Sequence, residues 1–211
     1  MSAYSQQDEL EKLKEWWKEY GTSLVIGVVL GVAALVGYRY WTQHQETQRE
    51  AASVMYEQLL THIRTDQPQA ARDVGGKLID DYGSTPYAGM AALLLARQAH
   101  DAGDKALARQ HLEWAIDNAK GDATRHAARL RLGRLLLDAG DANAAAAAIN
   151  VKDITGFEAE YHELRGDLAL VAGDTEAARR AYLEATKALP PNSPYRATLS
   201  MKLDDLGAEK Q

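Results

Sequence analysis

The segment TSLVIGVVLGVAALVGYRYW, residues 22–41, determines how the rest of the chain can be arranged. No charged residue occurs from Tyr20 to Tyr38, a run of 19 residues rich in Leu, Val, Ile and Ala. An α-helix needs about 20 mostly apolar residues to cross the hydrocarbon core of a bilayer. The length and composition of the segment therefore predict a transmembrane helix over residues 22–41.

Aromatic side chains flank this segment on both sides, as is typical of residues at the two membrane–water interfaces. They are Trp16, Trp17 and Tyr20 on one side and Tyr38, Tyr40 and Trp41 on the other. A cleaved signal peptide is disfavoured, because the preceding residues are more acidic than basic and no small-residue cleavage site follows. A buried helix of a soluble domain is disfavoured because the segment is apolar on all sides. We therefore expect a permanent single-pass anchor.

Residues 1–21 are predicted to form an amphipathic segment before the anchor. Its apolar stripe comprises Leu10, Leu13, Trp17 and Tyr20. Two interpretations remain open, a helix lying in the membrane interface and a solvated lead-in. Three lysines precede the uncharged run, whereas Arg39 and Arg49 follow it. This slight bias favours a cytoplasmic N-terminus and places residues 42–211 outside the cytoplasmic membrane.

Within the anchor, small residues recur on one side of the predicted helix. They are Gly27, Gly31 and Ala34. Small side chains allow close approach of two helices in lipid. The spacing indicates a contact face for another membrane helix.

Composition limits the function of the remaining chain. Of the 211 residues, 46% are hydrophobic but only 7% are aromatic, a bias that favours helices over a β-sandwich. The net charge of −6, without a basic cluster in the sequence, argues against nucleic acid as a partner. The sequence contains no cysteine, which excludes disulfides, thiol catalysis and cysteine-ligated metal sites.

A Gly-Asp dipeptide recurs three times after the anchor, each time between an apolar stretch and an alanine-rich one. Its copies are Gly103-Asp104, Gly140-Asp141 and Gly173-Asp174, at intervals of 37 and 33 residues. Glycine can take the left-handed conformation that ends a helix, and aspartate can cap the next helix. The recurring unit is therefore predicted to be a helical hairpin of about 34 residues.

The length of the recurring unit and the residue types at fixed positions within it resemble the tetratricopeptide repeat. The clearest unit contains Gly166, Gly173, Asp174, Ala178, Tyr182, Ala185 and Pro190 at the spacings of that repeat. The resemblance implies an all-α fold, in which a transmembrane helix is followed by a solenoid of hairpins over residues 42–211. The predicted hairpins cover residues 52–83, 89–120, 126–156 and 159–192, followed by a capping helix over 194–207. A non-repeat helical bundle is the alternative.

The whole chain also resembles a narrower family, the ancillary subunits of the bacterial SecYEG translocon (YfgM-like proteins). This resemblance rests on the acidic lead segment with Trp16-Trp17, on residues 27–41 followed by His44-Gln45, and on LRGD at 164–167 before Gly173-Asp174. It implies a bacterial inner-membrane protein with a cytoplasmic N-terminus and a periplasmic repeat domain. It also implies association with SecYEG and with a membrane-anchored prolyl-isomerase-like chaperone.

No motif for catalysis, cofactor binding or metal binding is found in the sequence. The six histidines lack metal-ligand spacing, and H-E-x-x-H, G-x-S-x-G and phosphate-loop motifs are absent. Asp80-Asp81 and Asp204-Asp205 are adjacent pairs, whose side chains diverge on a helix. We therefore expect no enzymatic activity and no cofactor.

Protein binding is the favoured function, because the first helices of tetratricopeptide hairpins line a concave groove. By that resemblance, the candidate groove residues are Met90, Leu93, Arg97, Leu130, Arg134, Leu137, Glu163, Asp167 and Leu170. Core packing is the alternative for the leucines. The two arginines and the two carboxylates are expected either to form opposite poles of the groove or to pair with each other.

The expected function is that of a membrane-anchored periplasmic adaptor, which assists translocation or folding of nascent and periplasmic client proteins. The alternative is a homo-oligomeric structural or regulatory module of the inner membrane without a translocon role. The two differ in what occupies the groove and in whether Gly27 and Gly31 contact a second copy of the chain.

Overall fold

The computed structural model describes residues 3–208, with side chains described for residue 11 and residues 13–207. Within these residues the chain is helical and contains no β-strand. The helices are α1 (Ala3–Arg64), α2 (Pro68–Asp81), α3 (Pro86–Asp101), α4 (Lys105–Asn118), α5 (Asp122–Asp138), α6 (Ala142–Ala148), α7 (Glu158–Val171), α8 (Thr175–Ala188) and α9 (Tyr195–Ala208). The predicted all-α fold is confirmed.

The chain divides into two compact units, Met1–Glu50 and Ala51–Gln211. In the first unit, α1 contains a helical segment long and apolar enough to cross a membrane. Its large apolar side chains are exposed; Leu30 and Leu35, for example, are 65% and 67% accessible. Leu13 and Trp17 are also exposed, whereas the side chain of Leu10, the first member of the predicted amphipathic stripe, lies outside the described residues. An apolar surface that the protein itself leaves uncovered is what a lipid-facing helix requires.

The second unit is a succession of helix pairs, each packed on the next. Buried alanines and leucines form clusters between α1, α2 and α3, then between α3, α4 and α5. Further clusters join α5 to α7 and α8 to α9. A hairpin of this kind cannot bury its own apolar faces, so stacking supplies the core and the last face needs a cap. Leu199 and Leu206 of α9 are buried and cover that last face.

The Gly-Asp turns form as the sequence predicts. Gly103, Gly140 and Gly173 have φ values of 82°, 83° and 79°, in the left-handed region. Each following aspartate accepts a hydrogen bond from the backbone N–H three residues later; Ala177 N donates to Asp174 Oδ1 at 2.8 Å. The same local geometry therefore ends α3, α5 and α7 and begins α4, α6 and α8.

The second helix of the middle hairpin is shorter than those of the hairpins on either side of it. Its second helix, α6, has seven residues and ends before Ile149. Residues 150–157 then lead to α7 without a helix. Ile149, the residue directly after α6, is buried and packs in the cluster with Leu130, Tyr161 and Leu164, so the end of the short helix still places a large apolar side chain in the core.

Candidate protein-binding surface

The nine predicted groove residues lie on the first helices of three successive hairpins, α3, α5 and α7, and differ in exposure. Leu130 and Glu163 are buried, each 3% accessible. Arg97 and Leu170 are exposed. The remaining members are half-buried: Met90, Leu93, Arg134, Leu137 and Asp167. Leu130 is thus a core residue, whereas the others reach the surface or bond to residues that do.

The predicted groove leucines differ in exposure because some of them pack against the core. Leu93 and Leu137 are half-buried and pack against the cluster formed by α3, α4 and α5. Leu170, near the C-terminal end of α7, is 41% accessible. A helix that packs on two neighbours buries most of its circumference, so few of its leucines remain available to a partner.

The structure shows which of the predicted arginines pairs with a predicted carboxylate. Arg134 Nη2 of α5 donates to Glu163 Oε2 of α7 at 3.2 Å. Arg97 instead lies 3.5 Å from Asp101, four residues along α3, and both side chains are largely exposed. Arg134 and Glu163 therefore pair across two hairpins, while Arg97 is held only by a solvated contact.

Glu163 and Asp167 lie one helical turn apart on α7 and form the centre of a carboxylate network with α8 and α9. Lys202 Nζ lies 2.9 Å from Glu163 Oε1 and donates to Asp167 Oδ1 at 2.6 Å. Tyr195 Oη donates to Glu163 Oε2, and Tyr182 Oη donates to Asp167 Oδ1, each at 2.7 Å. The capping helix is thus bonded to both predicted carboxylates.

The network determines the ionisation of its members. Burial opposes the charge of Glu163, but hydrogen bonds from Lys202 and Tyr195 and the charges of Lys202 and Arg134 outweigh it, so its pKa is lowered. Burial also opposes the charge of Lys202, but Asp167 and Glu163 raise its pKa. Burial and then the bond to Glu163 raise the pKa of Tyr195 to about 12. At neutral pH Glu163 is therefore ionised, Lys202 is protonated and Tyr195 keeps the proton that it donates.

A cavity of about 310 Å³ lies between α3, α4 and α5. We call it the arginine cleft. Its floor is apolar and buried, formed by Ala96, Ala108, Leu112 and Leu135. Its polar side chains are Arg97, His100, Arg131, Arg134 and Asp138. Two of these arginines belong to the predicted groove, and Arg131 is a further cation that sequence reasoning missed.

The sequence signal for these missed residues is weak. Arg131 precedes Arg134 by three positions, which places the two on one side of α5, but this spacing is common on solvated helices. Tyr195 and Lys202 are seven positions apart on one face of α9, and nothing local indicates that this face meets two carboxylates. Their roles depend on contacts between residues far apart in the chain.

The histidines and carboxylates form no candidate metal centre among the described side chains, where no group of three or more His, Cys, Asp or Glu ligands occurs. His126 has a structural environment instead. Its Nδ1 lies 2.9 Å from Tyr161 Oη, and its ring stacks on Phe157. These contacts join α5 to the start of α7.

The small-residue stripe of the anchor faces open space. A Cβ atom added at Gly27 or Gly31 would meet no heavy atom within 4 Å, and Ala34 is exposed. This face is therefore free of contacts from the described residues of the chain.

Comparison with known proteins agrees with this architecture. The family model of a tetratricopeptide repeat-like domain matches residues 14–208. The ancillary SecYEG translocon subunit of Haemophilus influenzae is 30% identical over 185 residues, which cover 87% of this chain and 90% of the relative. The chain belongs to the family of ancillary SecYEG translocon subunits.

Other members of the ancillary translocon subunit family align over similar lengths. The relative from Escherichia coli is 30% identical over 186 residues, covering 87% of this chain and 88% of its own length. The relative from Neisseria gonorrhoeae is 28% identical over 202 residues, covering 95% and 97%. Both family resemblances inferred from the sequence are confirmed. The match of the family model, residues 14–208, includes the apolar segment of α1 as well as the hairpins.

Proposed function

We propose that the protein is a membrane-anchored adaptor, which associates with the SecYEG translocon and presents its helical hairpins to proteins emerging from it. The observation that carries this proposal is the family membership, since the relatives are named as translocon subunits. The exposed apolar segment of α1 supports membrane attachment. The tether favours binding because it raises the effective concentration of the hairpins at the membrane.

The proposed topology assigns residues 1–21 to the cytoplasm, 22–41 to the bacterial inner membrane and 42–211 to the periplasm. The slight excess of lysines before the anchor supports this orientation. A reporter enzyme that is active only outside the cytoplasm, fused after residue 211, should be active. A reporter fused before residue 1 should be inactive, and the reverse result would overturn the proposed topology.

The proposed partners are SecYEG, a membrane-anchored prolyl-isomerase-like chaperone, and nascent or periplasmic clients. The proposed contact surface consists of the accessible groove residues, with Arg97 and Leu170 the most exposed. The adaptor role is non-catalytic, which fits the absence of catalytic motifs in the sequence.

Site-specific crosslinking in intact membranes tests this surface. A photo-crosslinking residue at position 97 or 170 should capture a translocon subunit or the chaperone. The matched control is position 180 on α8, because Arg180 is also exposed but is not one of the predicted groove residues. Capture of neither partner from the groove positions, or equal capture from position 180, would contradict the proposal.

We also propose that Gly27, Gly31 and Ala34 contact another membrane helix. The open space beside both glycines supports this assignment. Gly31→Leu should weaken copurification with SecYEG, whereas Val29→Leu, which changes an exposed residue of the same helix, should not. A stable homodimer that Gly31→Leu dissociates would favour self-association instead.

A further inference from the structure

Arg165 of α7 holds a position that leucine occupies in the two preceding hairpins. This position lies eight residues before the glycine of the Gly-Asp turn, and it is Leu95 in α3 and Leu132 in α5. Both leucines are buried, with 3% and 6% of their surface accessible. Arg165, in contrast, is half-buried. In α7 a cation therefore stands where the other two helices place an apolar core residue.

In α3 and α5 this position packs against the second helix of the hairpin before. Leu95 lies against α2, where a Cβ atom added at Gly75 would come within 2.8 Å of the leucine side chain. Leu132 belongs to the cluster that contains Leu112 and Ala115 of α4. Both α2 and α4 have 14 residues. A second helix of this length therefore covers the position.

The second helix that precedes Arg165 is α6, which has seven residues and is half the length of α4. At 1.5 Å per residue, the difference corresponds to about 10 Å of helix. A cavity of about 330 Å³ lies between the end of α6 and α7, and we call it the α6 notch. Its lining consists of Ala146, Ala147, Ile149, Asn150, Arg165 and Leu168.

The segment that follows α6 does not fill the notch. Residues 150–157 contain no helix. The apolar side chains of this segment pack against the cluster between α5 and α7 and do not line the notch; they are Val151, Ile154 and Phe157. The space beside Arg165 is therefore left open where α4 and α2 cover the equivalent leucines.

Arg165 brings an uncompensated positive charge to the notch. Among the side chains that the structure describes, it forms no ion pair and no hydrogen bond. The charges of Arg129 and Arg165 both oppose the rise that burial causes in the pKa of Tyr161, so the two guanidinium groups lie near the same phenol. A guanidinium group carries five N–H donors, which Arg165 can offer to a ligand. A half-buried cation without a protein partner favours an anion in the adjoining cavity.

The other walls of the notch indicate what carries this anion. Ala146 and Ala147 are exposed, and their small side chains allow another helix to approach closely. Ile149 and Leu168 add apolar surface to the lining. A free inorganic anion would leave these walls uncovered. A helix with one apolar face and one carboxylate meets both the walls and Arg165.

We propose that the α6 notch binds a short helical segment of a partner protein, which takes the place of the missing turns of α6 and pairs one glutamate or aspartate with Arg165. Docking of an amphipathic helix into a groove is a common mode of recognition. This inference rests on the proposed function, because the partner is one of the proteins proposed to bind the hairpins. It adds a second contact surface, which shares no residue with the predicted groove, and the chemical class of the segment bound there.

Site-specific photo-crosslinking of the full-length protein in intact membranes tests the notch. A photo-crosslinking residue at position 147 should capture a translocon subunit or the chaperone. Mass spectrometry should place the captured site on a helix, within about one turn of an aspartate or glutamate.

Charge reversal then tests the ion pair. Arg165→Glu should reduce capture from position 147 about tenfold, because two like charges would face each other. Arg180→Glu, which makes the same change on the exposed surface of α8, should leave capture unchanged. Replacing the identified carboxylate residue of the partner by arginine should restore capture by the Arg165→Glu variant.

Arg165→Leu separates binding from folding. It introduces the residue that α3 and α5 carry at the equivalent position, so the melting temperature should be unchanged or higher, whereas capture from position 147 should fall. Thermal unfolding followed by circular dichroism supplies the melting temperature. A lower melting temperature with unchanged capture would show that Arg165 only stabilises the end of α6, and it would overturn the inference.

The failure of this inference is distinguishable from failure of the proposed function. Capture from positions 97 or 170 but not from position 147 would overturn the inference alone. The same holds for capture from position 147 that Arg165→Glu leaves unchanged, or for a captured site without a neighbouring carboxylate. Absence of translocon and chaperone capture from all three positions would overturn the proposed function together with the inference.

Discussion

The ammonium group of Lys202 on α9 lies 2.9 Å from the carboxylate of Glu163 on α7. Glu163 is buried and precedes Lys202 by 39 positions in the chain. The same ammonium donates to Asp167 at 2.6 Å. The capping helix therefore closes the hairpin stack by an ionic contact as well as by Leu199 and Leu206. A buried carboxylate that loses its cation is left with an uncompensated charge, which is costly.

Lys202→Met is expected to destabilise the second unit by about 2 kcal/mol, because Glu163 loses a buried partner while Arg134 and Tyr195 remain. The melting temperature should fall by about 4–8 °C. Thermal unfolding of the full-length protein in detergent, followed by circular dichroism, measures this change. Lys187→Met is the control, because its ion pair with Glu184 is exposed, and it should leave the melting temperature unchanged.

The pH dependence of stability should reveal the same network. The pKa of Glu163 is lowered in the folded protein. The contribution of Glu163 to folding stability is therefore fully present above the ordinary pKa of 4.5, and it is lost as pH falls through the lower pKa of the folded state. The difference in melting temperature between the wild type and Glu163→Gln should therefore shrink below about pH 4.5. A difference that stays constant down to the acid limit would show that the charge of Glu163 does not stabilise the fold.

The pKa of Lys202 is raised in the folded protein. The contribution of Lys202 to folding stability is therefore fully present below the ordinary pKa of 10.5, and it is lost as pH rises through the higher pKa of the folded state. The destabilisation caused by Lys202→Met should accordingly be constant at neutral and mildly alkaline pH. It should decrease only above pH 10.5. Thermal melts of both proteins across this range provide the measurement, and a decrease already at pH 8 would contradict the assignment.

Gly166 is expected to tolerate no side chain. A Cβ atom at this position would overlap the ring of Tyr182, which is buried and bonded to Asp167. Gly166→Ala should lower stability by about 1–3 kcal/mol through overpacking. Gly76→Ala is the matched control, because this helical glycine has open space at the same point, and it should raise stability by about 0.4–1 kcal/mol.

Each aspartate that caps a helix is expected to contribute to the stability of the fold. Asp174→Ala removes the acceptor for Ala177 N and should cost about 1 kcal/mol. Asp174→Asn keeps an acceptor of the same length and should cost much less. Urea unfolding of the two variants distinguishes a capping role from a charge effect, since loss of stability in both would indicate that the charge is responsible.

The sequence alone was sufficient for the features that depend on neighbouring residues. A membrane-length apolar run is defined by composition, and the turns at Gly140-Asp141 and Gly173-Asp174 are defined by backbone conformations of two adjacent residues. Such interactions span a few positions, so their residue types recur wherever the structure recurs. The recurrence of the Gly-Asp turns and the all-α fold were predictable for this reason.

Only the tertiary structure decided which groove residues reach the surface and which charges meet. Leu137 and Leu170 both lie three residues before the Gly-Asp turn of their hairpins, yet the first is half-buried and the second is exposed. Glu163 takes its partners from helices 29, 32 and 39 positions away. Burial and pairing depend on how α5, α7 and α9 pack, and packing is a property of surfaces brought together from distant parts of the chain. The arginine cleft arises in the same way, because its cations come from two helices whose relative position no local pattern specifies.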